Sequence, residues 1–169
     1  MNVTLRRSIA TAAVALAVPV LSSCGSNFNA PTDQPYNPGV GVNDRSGTID
    51  VLHALIVSGQ GGSGTVVAAL VNNDGENDDL LTSVAGAGDD ASIGVEAEGD
   101  QVEITAGELY QLADEGNISV QADQIQPGRF VELTFSFERG QSVTLEVPVV
   151  SNSEEDFAEV PVPSGSPSG

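Results

Sequence analysis

The clearest pattern along the chain is a period of two. Val131, Leu133, Phe135 and Phe137 alternate with Glu132, Thr134 and Ser136. Glu138-Arg139-Gly140-Gln141 follows as a turn in which Gly140 can take a positive φ. Val143, Leu145, Val147 and Val149 then resume the alternation. Successive side chains of a strand point to opposite faces, so the pattern predicts a hairpin with one buried face. Pro148 points away from that face and has no N–H, which favours an edge position. Near the other end, Ile49, Val51, Leu55 and Val57 alternate with Asp50, Leu52, Ala54 and Ile56. That run suits a strand buried on both faces, with His53 in line with Val51 and Leu55. Residues 58–64 read as a loop, 65–71 as a second strand and 72–79 as a polar turn. Shorter strands are predicted at 80–84, 92–97, 102–104 and around Ile118 and Val120. Residues 109–112 follow the fifth strand, and the only helix candidate, 106–113, is short. Many short strands with turn signals between them imply an all-β domain, a β-sandwich.

The two ends of the chain differ from this core. Arg6 and Arg7 precede an apolar run over 9–20, and the run ends in Leu21-Ser22-Ser23-Cys24-Gly25. The run is shorter than the ~20 residues a membrane-spanning helix needs. No A-x-A-like cleavage site follows it. The order of charge, apolar run, small residues and cysteine resembles a bacterial lipobox. That resemblance implies cleavage before Cys24 and acylation of its thiol. The chain would then be anchored by lipid on the extracytoplasmic face of the cell membrane. Residues 1–23 would be the signal peptide. Residues 24–46, with Pro31, Pro35 and Pro38, would form an extended lipidated tether. The sandwich is expected over 47–150. The polar stretch 151–169 is expected to be a disordered tail.

Charge narrows the partners. The chain has five Arg, no Lys and 24 acidic residues, a formal charge of −19. Residues 1–23 hold two of the arginines and no acid, so a processed chain would carry 3 − 24 = −21. Such a surface repels phosphate backbones and excludes nucleic acid as a partner. With one cysteine there is no intrachain disulfide, and packing must supply the stability.

Three stretches of the core resemble a known family. They are Ala69-Leu70-Val71-Asn72-Asn73 followed by Asp79-Leu80-Leu81, then Ile104-Thr105-Ala106-Gly107-Glu108, then Ile125-Gln126-Pro127-Gly128 leading into 130–137 and 143–149. Together they resemble the PCuAC-type copper chaperone superfamily, and more closely its actinobacterial LpqE-like lipoprotein branch, over about residues 47–150. The resemblance implies a cupredoxin-like or immunoglobulin-like β-sandwich outside the cytoplasmic membrane. Copper-binding members use an upstream His and Met and a downstream His-x-Met. By this resemblance Asn117 and Ser119 stand where the downstream pair would be, and residues 92–103 offer neither upstream ligand. Cu(I) prefers thiolate, thioether and imidazole. With Met1 removed and Cys24 acylated, His53 alone remains, so a copper site would need two chains.

Other chemistry is thinly supported. His53 is a single imidazole, expected as a structural residue in or beside the core, and a metal ligand only as a weak alternative. Asp74, Glu76, Asp78 and Asp79 surround Gly75 and are weak Ca²⁺ candidates, although an EF-hand reading would put Leu70 at its first position. Asp89-Asp90 and the acids of 96–103 read as solvated turns. The glycine run 59–64 lacks the lysine and following helix of a phosphate loop. No nucleophile elbow is present, and Trp, which often stacks on sugars, is absent. The expectation is therefore a non-enzymatic envelope lipoprotein without a cofactor. It would bind an envelope protein through its acidic loops or a sheet edge. The alternative is a copper chaperone-type protein with a degenerate or dimeric site.

Overall fold

The computed structural model describes residues 40–59, 61–97, 101–115 and 118–163. The expected lipobox with Cys24, the stretch expected as tether up to residue 39, and Asn117 lie outside them. The fold is all-β. Its strands are β1 (Val42–Asp44), β2 (Ile49–Ser58), β3 (Ser63–Asn72), β4 (Asp79–Gly86), β5 (Gly94–Ala97), β6 (Val102–Ile104), β7 (Leu109–Gln111), β8 (Ile118–Gln121), β9 (Phe130–Phe137) and β10 (Ser142–Ser151). The short helix candidate over 106–113 is instead a turn at Gly107 and the strand β7, and a single helical turn, α1 (Leu112–Glu115), follows.

The strands run in the order β5-β8-β3-β2-β10-β9-β4-β6, with β1 also on β2 and β7 also on β3. β10 belongs to both halves. Its residues 142–148 pair antiparallel with β9, and Val149–Ser151 pair parallel with β2. The sheet therefore curls on itself at this strand. Ile49, Val51, Ile56, Val66 and Leu70 from one half meet Leu81, Val131, Leu133, Phe135 and Val147 from the other in one core. Pro148 sits where β10 changes partner, not on a free edge. The Val149 N–H points to β9, donating to Arg129 O at 2.8 Å. Adjacent amides alternate sides, so Pro148 nitrogen faces the side where β10 has no ladder partner before Val149, and no bond is lost. The β9–β10 turn forms as expected, with Gly140 at φ 91°.

β2 departs from simple alternation. Leu52 pairs with Ala69 but Leu55 pairs with Val67, so His53 and Ala54 together oppose Ala68. This is a β-bulge. His53 takes φ 52° and is exposed. The expected place for it in or beside the core is thus corrected. The extra residue shifts the inward set from 53 and 55 to Ala54 and Ile56. Leu55 and Val57 then face the outside of the sheet.

They are not left bare. Leu55, Val57 and Val150 form a second buried cluster, covered by Phe157, Val160 and Val162. After β10 the chain makes a 3-10 turn at Glu155–Phe157 and lies over this outer face. Residues 151–163 are therefore ordered against the domain, and the tail expectation fails there. Three apolar side chains in a polar stretch find an apolar floor that period-two reading had assigned to the core. The N-terminal boundary moves as well, because β1 lies within the stretch expected as tether. β1 is held by its ladder to β2, by Asn43 and by an Arg45–Asp50 ion pair at 3.1 Å.

Candidate functional site

Three places hold the residues singled out by sequence. The first is the bulge. A bulge residue in the left-handed region is usually glycine, and among other residues Asn, Asp and His tolerate it best. The His53 N–H, turned out of the ladder, donates to Asn43 Oδ1 at 2.8 Å. Gly41 closes against the same backbone. A Cβ on Gly41 would lie 3.0–3.1 Å from His53 backbone atoms, and its φ of 128° also demands glycine. The bulge is thus fixed by Gly41 and Asn43, both outside the strand that carries it.

The second place is the acidic loop after β3. Asn72 is 1 % exposed, and its side-chain amide donates to Asn77 O (2.9 Å) and Ile104 O (3.0 Å). Its Oδ1 accepts the Asp74 N–H at 3.0 Å. Asp74 Oδ1 in turn accepts from the Glu76 and Asn77 N–H groups, and Oδ2 accepts from Arg139 Nη1 at 2.6 Å. The Arg139 guanidinium, then the Glu76 N–H and the Asn77 amide, hold the Asp74 carboxyl well below the usual carboxylate range. Asp78 Oδ1 accepts from Ala106 N (2.8 Å), and Asp79 Oδ1 from Leu80 N (2.8 Å) and Arg139 N (3.2 Å). Three of the four Ca²⁺ candidates thus cap backbone N–H groups in different directions. Glu76 is exposed at the tip. Among the described residues no group of three or more His, Cys, Asp or Glu is arranged to hold a metal ion. The turn at 88–90 is also more than a solvated bend. Asp90 Oδ2 accepts the Glu132 N–H at 2.9 Å and its Oδ1 meets Gln124.

The third place is the position of copper ligands by family resemblance. Ser119 lies in β8, paired with Glu96 of β5, and its hydroxyl donates to Glu96 O at 3.3 Å. β8 also pairs with β3, where Ser119 is in register with Thr65. His53 opposes Ala68, three residues further along β3 and one strand beyond it. At ~3.4 Å per residue and ~4.8 Å per strand, the two backbones stand about 10 Å apart in each direction. His53 and Ser119 therefore do not share a mononuclear site.

The match to known proteins follows this architecture. The LpqE-like lipoprotein family model matches residues 49–149, from the start of β2 to the change of partner in β10. The chain belongs to the LpqE-like family. Its fold is shared with solved PCuAC domains. The copper-bound PCuAC domain from PmoF2 is 18% identical with a TM-score of 0.54, over 65% of this chain and 98% of that one. The apo PCuAC domain from PmoF1 is 19% identical at the same TM-score, over 65% and 99%. No curated protein sequence matches. Among the described residues no helix is long and apolar enough to cross a membrane.

Sequence reasoning missed several residues that shape this LpqE-like domain. Arg139 clamps the acidic loop from the far hairpin. Gln141 pairs its side-chain amide with Ile49 like a strand neighbour, accepting at 2.9 Å and donating at 2.7 Å. Phe157, Val160 and Val162 cover the outer face. Only these last carried a signal, as isolated apolar residues in a polar tail.

Proposed function

We propose that this chain is a lipid-anchored envelope protein in which a PCuAC-type sandwich serves as a non-catalytic binding module and not as a copper carrier. The carrying observation is the ligand inventory. The whole sequence holds one His, one Met and one Cys. In the lipobox reading Met1 leaves with the leader and Cys24 is acylated, so His53 is the only soft or imidazole ligand left. It sits on the bulge, away from Ser119. Acyl chains on Cys24 would place the module at the extracytoplasmic membrane surface, with envelope proteins as partners. Blocking acylation by Cys24→Ser is expected to move the protein out of the membrane fraction.

A second reading is favoured by the fold shared with a copper-bound domain. Two chains could pair their His53 imidazoles around one Cu(I). A competition titration of the chain carrying Cys24→Ser against a chromogenic Cu(I) chelator, with His53→Ala alongside, separates the two. The binding-module reading expects no copper withdrawn from the chelator. Tight His53-dependent binding at two chains per metal would replace it with copper handling.

A further inference from the structure

We propose that the outer face of β2 and β3 is a peptide seat, which the free chain fills with its own residues 157–163. Its partner is an extended segment that alternates apolar residues with prolines and carries basic flanks. The inference rests on the binding-module reading and names the surface that module uses.

The seat is built for such a segment. Leu55, Val57 and Val150 form its floor, with Val67 beside them, and Phe157, Val160 and Val162 pack down onto it. Val162 enters against Gly59, where even a Cβ would lie 3.2 Å from the valine methyl. Two hydroxyls read the backbone. Ser63 Oγ donates to Pro163 O at 3.0 Å, and Thr65 Oγ1 donates to Pro161 O. Ser63 and Thr65 are each 2 % exposed, and among the described residues no buried side-chain polar atom lacks a partner. Pro161 and Pro163 have no N–H, so the segment cannot join the sheet as a strand. It is held by alternate carbonyls and alternate side chains, the mode by which grooves take proline-rich peptides.

The occupant is exchangeable because little holds it. No ladder ties residues 157–163 to the sheet, and their three anchoring side chains are only half-buried. Segments with few buried contacts open at low free energy. Opening would expose the apolar floor, which then favours a replacement. Charge sets which replacement wins. The segment carries Glu159, and Glu154, Glu155 and Asp156 stand just before it, all exposed, on a chain of net charge −19. Like charge weakens this self-contact, whereas a basic-flanked segment is drawn in.

A reversible lock tests the seat. In the chain carrying Cys24→Ser, Gly59→Cys and Val162→Cys would place a Cβ 3.6 Å from the Val162 Cβ position, within disulfide range. The probe is a fluorescent peptide of residues 154–163 with each acid replaced by lysine. The reduced chain is expected to bind it, and the oxidised chain to bind at least about tenfold more weakly, since the lock removes the competent state. Val162→Asp, which loosens the segment without cysteines, is expected to bind more tightly than the parent. Equal binding in both redox states, binding in neither, or no gain with Val162→Asp would overturn the proposal. So would reduced chains that dimerise and separate on oxidation, because the occupant would then be a second copy. A positive Cu(I) titration would instead sink the binding-module reading while leaving these peptide results to stand on their own.

Discussion

β2 feeds two hydrophobic clusters that are built in different ways. Ile49, Val51, Ala54 and Ile56 enter a core closed on both sides by ladders, with β3 and the end of β10 alongside and β9 and the earlier part of β10 opposite. Leu55 and Val57 enter a small cluster closed by one segment with no ladder. The bulge at His53 divides the strand between them. The core fixes the fold through long-range strand pairing. The outer cluster has the same apolar chemistry but holds its cover with two hydroxyl-to-carbonyl bonds. Apolar burial alone therefore does not distinguish the two clusters in this domain; the backbone pairing behind them does.

The strongest way to break the comparison is in the core. Phe135 is fully buried among side chains of both halves. Phe135→Ala is expected to cost ~3–5 kcal/mol by denaturant unfolding. A loss below about 1 kcal/mol would mean that the two halves are not packed as one core. This region was also the most legible in sequence. The 131–137 and 143–149 alternation identifies the buried face directly, because a long antiparallel pair obeys period two without interruption. β2 was legible as a strand but not in its facing. A bulge leaves no mark on apolar count, and here its determinants are Asn43 in β1 and Gly41 just before it. The candidate site was legible only as an inventory. Counting ligands limits copper chemistry, but the partners that fix the acids and cover β2 include residues far away in sequence: Ala106 for Asp78, Glu132 for Asp90, Arg139 for Asp74, and Phe157, Val160 and Val162 for the outer face of β2.

The bulge comes next in size. His53→Val places a β-branched residue at φ 52°, a conformation such side chains resist. A loss of ~1–3 kcal/mol is expected from backbone strain. His53→Gly should be neutral or slightly stabilising, since glycine accepts that φ without penalty. Thermal melts of the pair would measure the difference. If Val is tolerated as well as Gly, the bulge is not what divides the two faces of β2.

The outer cluster should respond more weakly and more locally. Val162→Ala removes part of a half-buried side chain and is expected to cost under ~1 kcal/mol globally. Amide exchange should nevertheless rise over residues 157–163 and not in β9. Equal acceleration in both would show that the covering segment unfolds only with the domain, and would erase the contrast between the clusters.

The smallest effect lies in the acidic loop, which tests whether its charges are structural. Asp74 is held ionised, first by Arg139 and then by the Glu76 N–H and Asn77 amide, so its folded pKa is depressed. An unfolded carboxylate of this kind titrates near ~4. As pH falls, the unfolded state takes up its proton first. The contribution of Asp74 is therefore complete above that range and is lost as pH drops toward the folded value. Asp74→Asn keeps an oxygen for the Glu76 and Asn77 N–H groups but removes the charge facing Arg139. The parent chain should melt above the variant at neutral pH, and the gap should close in acid. The contact is partly exposed, so added salt should shrink the gap at neutral pH as well. A gap that survives both acid and salt would assign the contribution of Asp74 to turn geometry alone. The loop would then owe nothing to its clamp from the β9–β10 hairpin.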